Sequence, residues 1–222
     1  MKIPRAPHRW RVSPSRAIAI QHELARKVIL KKPDREIRLA AGVDAAFSSD
    51  GHYCIAAAVL WDIDGRAVLE CHTARREVTL PYIPGLLSFR EAPAVIAALR
   101  KLGAAPDVLL FDGQGIAHPR RFGIACHVGV ICDLPAIGCA KSRLTGTHDI
   151  PPDSKGSRTP LFDGDEVIGT VLRTRKGVKP VYVSVGHRID LETAEDIVLA
   201  CALRYRLPEP TRLADRLVTT VK

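Results

Sequence analysis

The chain is predicted to fold as an α/β domain. A mixed sheet, three antiparallel strands followed by parallel ones, carries helices on both faces. Three observations predict this. Segments 37–47, 52–61 and 66–78 are strand-like, and Asp62-Ile63-Asp64-Gly65 joins the last two as a short hairpin loop. The short apolar segments 107–112 and 136–140 have the character of central parallel strands covered on both sides. Stretches of helical periodicity lie between and after them.

Taken in order, the first helix starts at Ser13-Pro14, with Ser13 as cap and Pro14 in the first turn. Ile18, His22, Ala25 and Ile29 recur at helical spacing to about Leu30, and Lys31-Lys32-Pro33-Asp34 ends the helix. The three-stranded meander follows. Residues 88–102 form a helix with Phe89, Ala92, Ile96 and Leu99 on one side, then come strand 107–112, helix 123–132 and strand 136–140. Residues 145–160, rich in Pro, Gly, Ser and charge, are expected to be a mobile surface loop. A hairpin, 166–173 with 180–185, and helices 192–205 and 212–218 complete the chain, the last after Pro208-Glu209-Pro210. This order is RNase H-like, and open sheets of this kind place their sites at the carboxyl ends of the parallel strands. No repeat or linker divides the chain, so residues 1–222 are expected to form one domain.

Composition narrows the function classes. Hydrophobic residues make up 46% of the 222, which excludes a disordered chain. The apolar runs are too short to cross a bilayer and the N-terminus does not resemble a signal peptide, so a cytoplasmic location is expected. A net charge of +9 favours a polyanionic partner: nucleic acid first, bound in a salt-sensitive way, and an anionic membrane surface second. None of the six cysteines forms a C-x-x-C pair, which argues against a zinc knuckle or thioredoxin-type motif; they are expected to be small buried hydrophobes.

Three carboxylates stand out. Period-two alternation puts Asp44 on the strand face that carries Gly42 and Ala46, where small neighbours leave room for an ion and a substrate backbone. Asp112 ends an apolar strand just before Gly113-Gln114-Gly115, where a phosphate or base can approach closely. Glu91 lies at a helix start, in Ser88-Phe89-Arg90-Glu91, which also fits a capping box. Two carboxylates on adjacent strands and a third from a helix suit Mg²⁺, or Mn²⁺ in its place, acting on a phosphodiester. Lys141, just past strand 136–140, is expected to emerge at the same sheet edge as Asp112 and to hold a phosphate or position water. Pro81-Tyr82-Ile83-Pro84-Gly85 is a rigid turn tipped by an aromatic ring, suited to wedge between bases. His118 is open to phosphate binding or a structural role. Arg120 and Arg121 are expected at backbone phosphates, or as solvated loop charges.

Several strings together resemble the endonuclease V family: Gly42-Val43-Asp44, Pro81 to Gly85, Ser88 to Glu91, Asp112 to Gly115 with His118-Pro119-Arg120-Arg121, Gly138 to Ser142, and Pro208 to Arg212. The likeness runs in order from about residue 15 to 217. It implies an RNase H-like enzyme that recognises deaminated bases in DNA, chiefly hypoxanthine; separately, the chain is expected to act as a monomer. Such an enzyme hydrolyses the second phosphodiester on the 3′ side with Mg²⁺ or Mn²⁺, leaving a 3′-hydroxyl and a 5′-phosphate. The resemblance makes Asp44, Glu91 and Asp112 the acidic cluster, Lys141 the catalytic-site lysine, and Pro81-Tyr82-Ile83-Pro84 the strand-separating wedge. Where some members carry a histidine this chain has Asp215, either a contributor to the ion's ligands or water shell or a surface helix acid. Inosine-containing RNA is an alternative substrate. Other RNase H-like nucleases and a non-catalytic nucleic-acid-binding protein are the competing readings.

Overall fold

The computed structural model describes residues 1–221. Helix α1 (Pro14–Ala25) opens as expected, the Ser13 hydroxyl accepting from the Arg16 N–H at 3.3 Å. It ends earlier than its periodicity implied, and its buried stripe is Ala17, Ile20, Gln21 and Leu24, not the row through Ile18 and His22. The cause is Gln21, a polar residue taken inside because the Gly85 and Phe122 carbonyls accept from its amide.

Strands β1 (Leu39–Phe47), β2 (Tyr53–Asp62) and β3 (Ala67–Glu77) form the antiparallel meander. Asp62 holds the β2–β3 turn, its Oδ1 accepting from the N–H groups of Asp64 and Gly65. Then come α2 (Leu87–Leu99), β4 (Val108–Phe111), α3 (Ile124–Cys132), β5 (Ala136–Ala140), β6 (Arg158–Asp163), β7 (Glu166–Leu172), β8 (Val181–His187), α4 (Leu191–Cys201) and α5 (Glu209–Val221). The strands make one eight-stranded sheet in the order β3-β2-β1-β4-β5-β8-β7-β6, with β1–β4 and β4–β5 parallel.

Three expectations need correction. Residues 145–160 are not a free loop: Arg158 already begins β6, Thr147 bridges to Phe162, and the Arg173 guanidinium donates to the Pro151 and Pro152 carbonyls. Pro160 fits in β6 because that strand lies at the sheet edge. Helix α4 stops at Cys201, short of Tyr205, while α5 begins at Glu209, with Pro210 in its first turn. Helix α2 starts at Leu87 on a Leu86 cap with no side-chain cap bond, so Ser88 and Glu91 form no capping box.

The sheet is covered on both faces. Ala41 and Val43 pack with Ala92, Val95 and Leu99 of α2, whereas Ala46, Ala57 and Val59 pack with Ala214 and Val218 of α5. All six cysteines are free and all but Cys71 are buried; burial holds the thiols of Cys54, Cys126, Cys132 and Cys201 at about 12, so they stay protonated packing groups. Among the described residues no helix is long and apolar enough to cross a membrane.

Candidate active site

The register of the sheet sets the site. Val43 of β1 pairs with Phe111 of β4 in parallel, so the next residues, Asp44 and Asp112, sit side by side where β4 ends. On the far side of β4, β5 ends at Ala140 and delivers Lys141 to the same edge. Its Nζ lies 2.5 Å from Asp112 Oδ2 and 3.9 Å from Asp215 Oδ1.

Gly42 explains why Asp215 belongs here. A Cβ at Gly42 would stand 2.1 Å from the Pro210 carbonyl carbon and 2.4 Å from the Thr211 nitrogen. The space beside Asp44 that the sequence reserved for a substrate backbone is therefore filled at Gly42 by the first turn of α5. That close approach brings Asp215, further along α5, to the sheet edge. Glu91 arrives from the other face, on α2.

The electrostatics are unbalanced. Burial, with the Asp112 and Asp215 charges adding, raises the Asp44 carboxyl to about 7. Burial and the charges of Asp44 and Asp112 raise Glu91 to about 8, although Arg90 pulls the other way. Burial alone would lower Lys141, but its bond to Asp112 and the nearby Asp215 and Asp44 raise it, so it stays charged. Four carboxylates thus influence one another around one ammonium. Among the described residues no three His, Cys, Asp or Glu side chains stand close enough to form a ready-made metal cage. The all-oxygen donors and excess negative charge still fit a hard divalent cation of the Mg²⁺ type, commonly held by one or two carboxylates with water and phosphate completing its shell.

Beside this edge lies the turn 81–85. Tyr82 is 70% exposed, with the Arg90 guanidinium 5.7 Å from its ring and 4.2 Å over the Phe47 ring. Behind it the chain turns at Gly85, whose φ of +79° favours glycine. The Gly85 carbonyl accepts from Gln21 at 2.9 Å, Arg120 at 2.8 Å and His118 at 3.1 Å. His118 Nδ1 accepts from the Arg120 N–H, so its Nε2 carries the proton donated to Gly85. Burial, reinforced by Arg120, lowers His118 to about 4 and keeps it neutral.

His118 and Arg120 hold the turn, and Arg120 also donates to Gln21 at 2.5 Å. Arg121 pairs with Asp163 and Glu166, both at 2.8 Å. Tyr82, Ile83, Pro84 and Gly85 line a pocket of about 160 Å³ with Ser88, Gln114, His118 and Phe122. Gly113 lies outside that lining, behind Ile124, whose side chain lines the pocket and would meet a Cβ at Gly113 at 2.8 Å. The sequence reading missed Gln21, Ser88, Arg90, Gln114 and His127. A visible signal for His127 was a single histidine in an otherwise apolar helix.

A sheet of this order, with acids gathered where its central strands end, defines an RNase H-like protein. The endonuclease V family model matches residues 22–216. The chain is 53% identical to the endonuclease V of Roseiflexus castenholzii, over 97% of this chain and 96% of that protein. It is 51% identical to that of a Nostoc species, over 96% and 97%. The endonuclease V structure from Streptomyces avermitilis superposes with a TM-score of 0.92 at 44% identity, covering 99% of this chain and 97% of that one. A Ciona intestinalis endonuclease V, solved with a 23mer DNA containing an inosine followed by a ribo-adenosine, superposes with a TM-score of 0.83 at 25% identity, covering 95% and 98%. The chain belongs to the endonuclease V family and is a nuclease.

Proposed function

We propose that this nuclease cuts strands carrying a deaminated base, hypoxanthine first, at the second phosphodiester on the 3′ side, with Mg²⁺ or Mn²⁺ as cofactor. The observation that carries the reading is a one-base pocket sharing its supports with an undercompensated acidic edge. Glu91 and the pocket residue Ser88 are both on α2, and Asp112 and the pocket residue Gln114 lie two apart on one loop. The base that is read and the bond that is cut are thereby held at a constant offset, away from the lesion itself.

Tyr82 fills the space an extruded base leaves, which offsets part of an unstacking cost of a few kcal/mol. The pocket is smaller than the roughly 300–1,000 Å³ that takes drug-sized ligands, so it admits a single base. Asp44, Asp112 and Glu91 would hold the cation and Asp215 would orient its water shell. When bound, the cation supplies a nucleophilic water and charge on the phosphate. Lys141, bonded to Asp112 in the free protein, would hold the scissile phosphate when Asp112 serves as a cation ligand. His118 and Arg120 act by fixing the turn. Arg121 reaches a phosphate only by leaving Asp163 and Glu166.

The test is a labelled duplex with one deoxyinosine, incubated with Mg²⁺ and mapped for its cut, beside the same sequence as inosine-containing RNA. Cutting one nucleotide beyond the lesion's own 3′ phosphate supports the reading. No cutting of either strand at any Mg²⁺ or Mn²⁺ concentration would overturn it.

A further inference from the structure

The pocket wall is backed by a chain of hydrogen bonds that starts in the N-terminal arm, outside the residues matched by the family model. His8 Nδ1 lies 3.0 Å from the Arg9 carbonyl, His8 Nε2 lies 2.8 Å from His127 Nε2, and His127 Nδ1 lies 2.9 Å from the Ser88 hydroxyl. His127 and Ser88 are buried, and Trp10, Phe89 and Phe122 enclose the histidine rings.

Proton direction along this chain is determined. A carbonyl only accepts, so His8 Nδ1 must carry a proton, and in neutral His8 Nε2 is then a bare acceptor. His127 Nε2 must donate to it, which leaves His127 Nδ1 bare. The Ser88 hydroxyl must then donate to Nδ1. Its proton is used up, and toward the pocket it offers lone pairs alone. Burial, with Arg16 adding, holds His8 below the ordinary histidine value while Arg9 and Glu23 oppose, so the neutral form is the resting one.

A second pocket residue has the same polarity. Gln114 donates its amide to the Ser142 carbonyl at 3.0 Å, and its Oε1 is buried with no partner. Ser88 and Gln114 therefore each present an acceptor oxygen at the pocket wall. Deamination turns a ring-nitrogen acceptor into a ring N–H beside a new carbonyl, so hypoxanthine has an N1–H where adenine has a lone pair. We propose that Ser88 is a specificity-determining residue, held as a pure acceptor by the His127–His8–Arg9 chain, so that the pocket selects bases with a ring N–H. This rests on the proposed function and adds the means by which the lesion is told from adenine, the base whose deamination creates it.

The experiment measures binding of single strands carrying deoxyinosine or deoxynebularine, which lacks the N1 proton, to wild type and three variants. His8→Glu supplies only acceptors and preserves the chain's direction. His8→Lys supplies only donors and reverses it, leaving Ser88 free to point its proton at the base. The preference for deoxyinosine is expected to survive His8→Glu and to fall about tenfold in His8→Lys and in Ser88→Ala, the worth of one well-made hydrogen bond. His8→Lys in the Ser88→Ala background is expected to cost nothing more. A merely structural His8 would make the two His8 variants lose preference equally, and that result overturns the proposal, as does an unchanged preference in Ser88→Ala. Should His8→Lys fail to fold by circular dichroism, Ser88→Ala decides alone. Wild type that binds inosine no better than undamaged strand would instead refute the proposed function.

Discussion

The acidic edge and the turn beside it are built on opposite principles. Around the Gly85 carbonyl every strong donor is matched: Gln21, His118 and Arg120 converge on one oxygen, and His118 is kept neutral so that no charge is stranded. Around Asp44 four carboxylates share one ammonium, and two of them hold their protons near neutral pH. The turn is complete as it stands, whereas the edge carries more carboxylates than its one ammonium can balance. A reading surface gains from rigidity, because selectivity is lost when its groups can turn. A metal-binding edge retains unfavourable charge because ligand binding recovers it.

The comparison breaks most clearly at the acids. Asp112→Ala or Asp44→Ala is expected to lower nicking of an inosine strand by about a thousandfold or more while lesion binding persists. Quenched-flow cutting and filter binding on the same strand check this. An active Asp112→Ala protein would remove the metal mechanism.

Metal affinity should depend on pH. With Asp44 near 7 and Glu91 near 8, the cation must displace protons, so its affinity rises with pH through that window and binding releases protons into the buffer. Both carboxyls are raised above their unfolded values, so the stability they lend is present in acid. It is lost as pH climbs from about 4, the unfolded value, through the folded values. Without metal, melting temperature should fall between mild acid and pH 8, and Mg²⁺ should restore it. Asp44→Asn should flatten that slope. Calorimetry in two buffers of different ionisation heat and thermal melts measure both effects.

The turn should respond in stability and not in metal binding. Gly85→Ala forces a side chain at positive φ against Arg120 Nη2, and is expected to cost about 1–3 kcal/mol. Gln21→Ala should cost a similar amount, by leaving the Phe122 carbonyl without its donor and the Arg120 Nε without its acceptor. Chemical denaturation reads both, and Mg²⁺ titration of the same variants should match wild type. Tyr82→Ala is the smallest perturbation of the fold. At 70% exposure it should change stability by under about 0.5 kcal/mol and yet weaken inosine binding about tenfold, with little change on undamaged duplex. Equal losses on both strands would argue against the wedge.

The amino-acid sequence alone determined the local order of this protein. Alternation and apolar runs are one-dimensional signals, so the meander, the short central strands and the exposed aromatic turn could be read before any coordinates. Asp44 and Asp112 were legible for the same reason, each marked by its place in a strand. Tertiary structure decided the contacts that depend on which surfaces meet. Gly42 read as open space until α5 filled it, and Asp215 joined the site only because that approach is so close. The segment from Ser88 to Glu91 also fitted a helix cap, and only the structure, with the helix beginning a residue earlier and Ser88 bonded to His127, removed that alternative. Gln21 was hidden by its polarity, since its partners lie 64 and 101 residues away and leave no trace in local spacing. Periodicity records what each segment buries, and only packing across distant segments records what each polar group is bonded to.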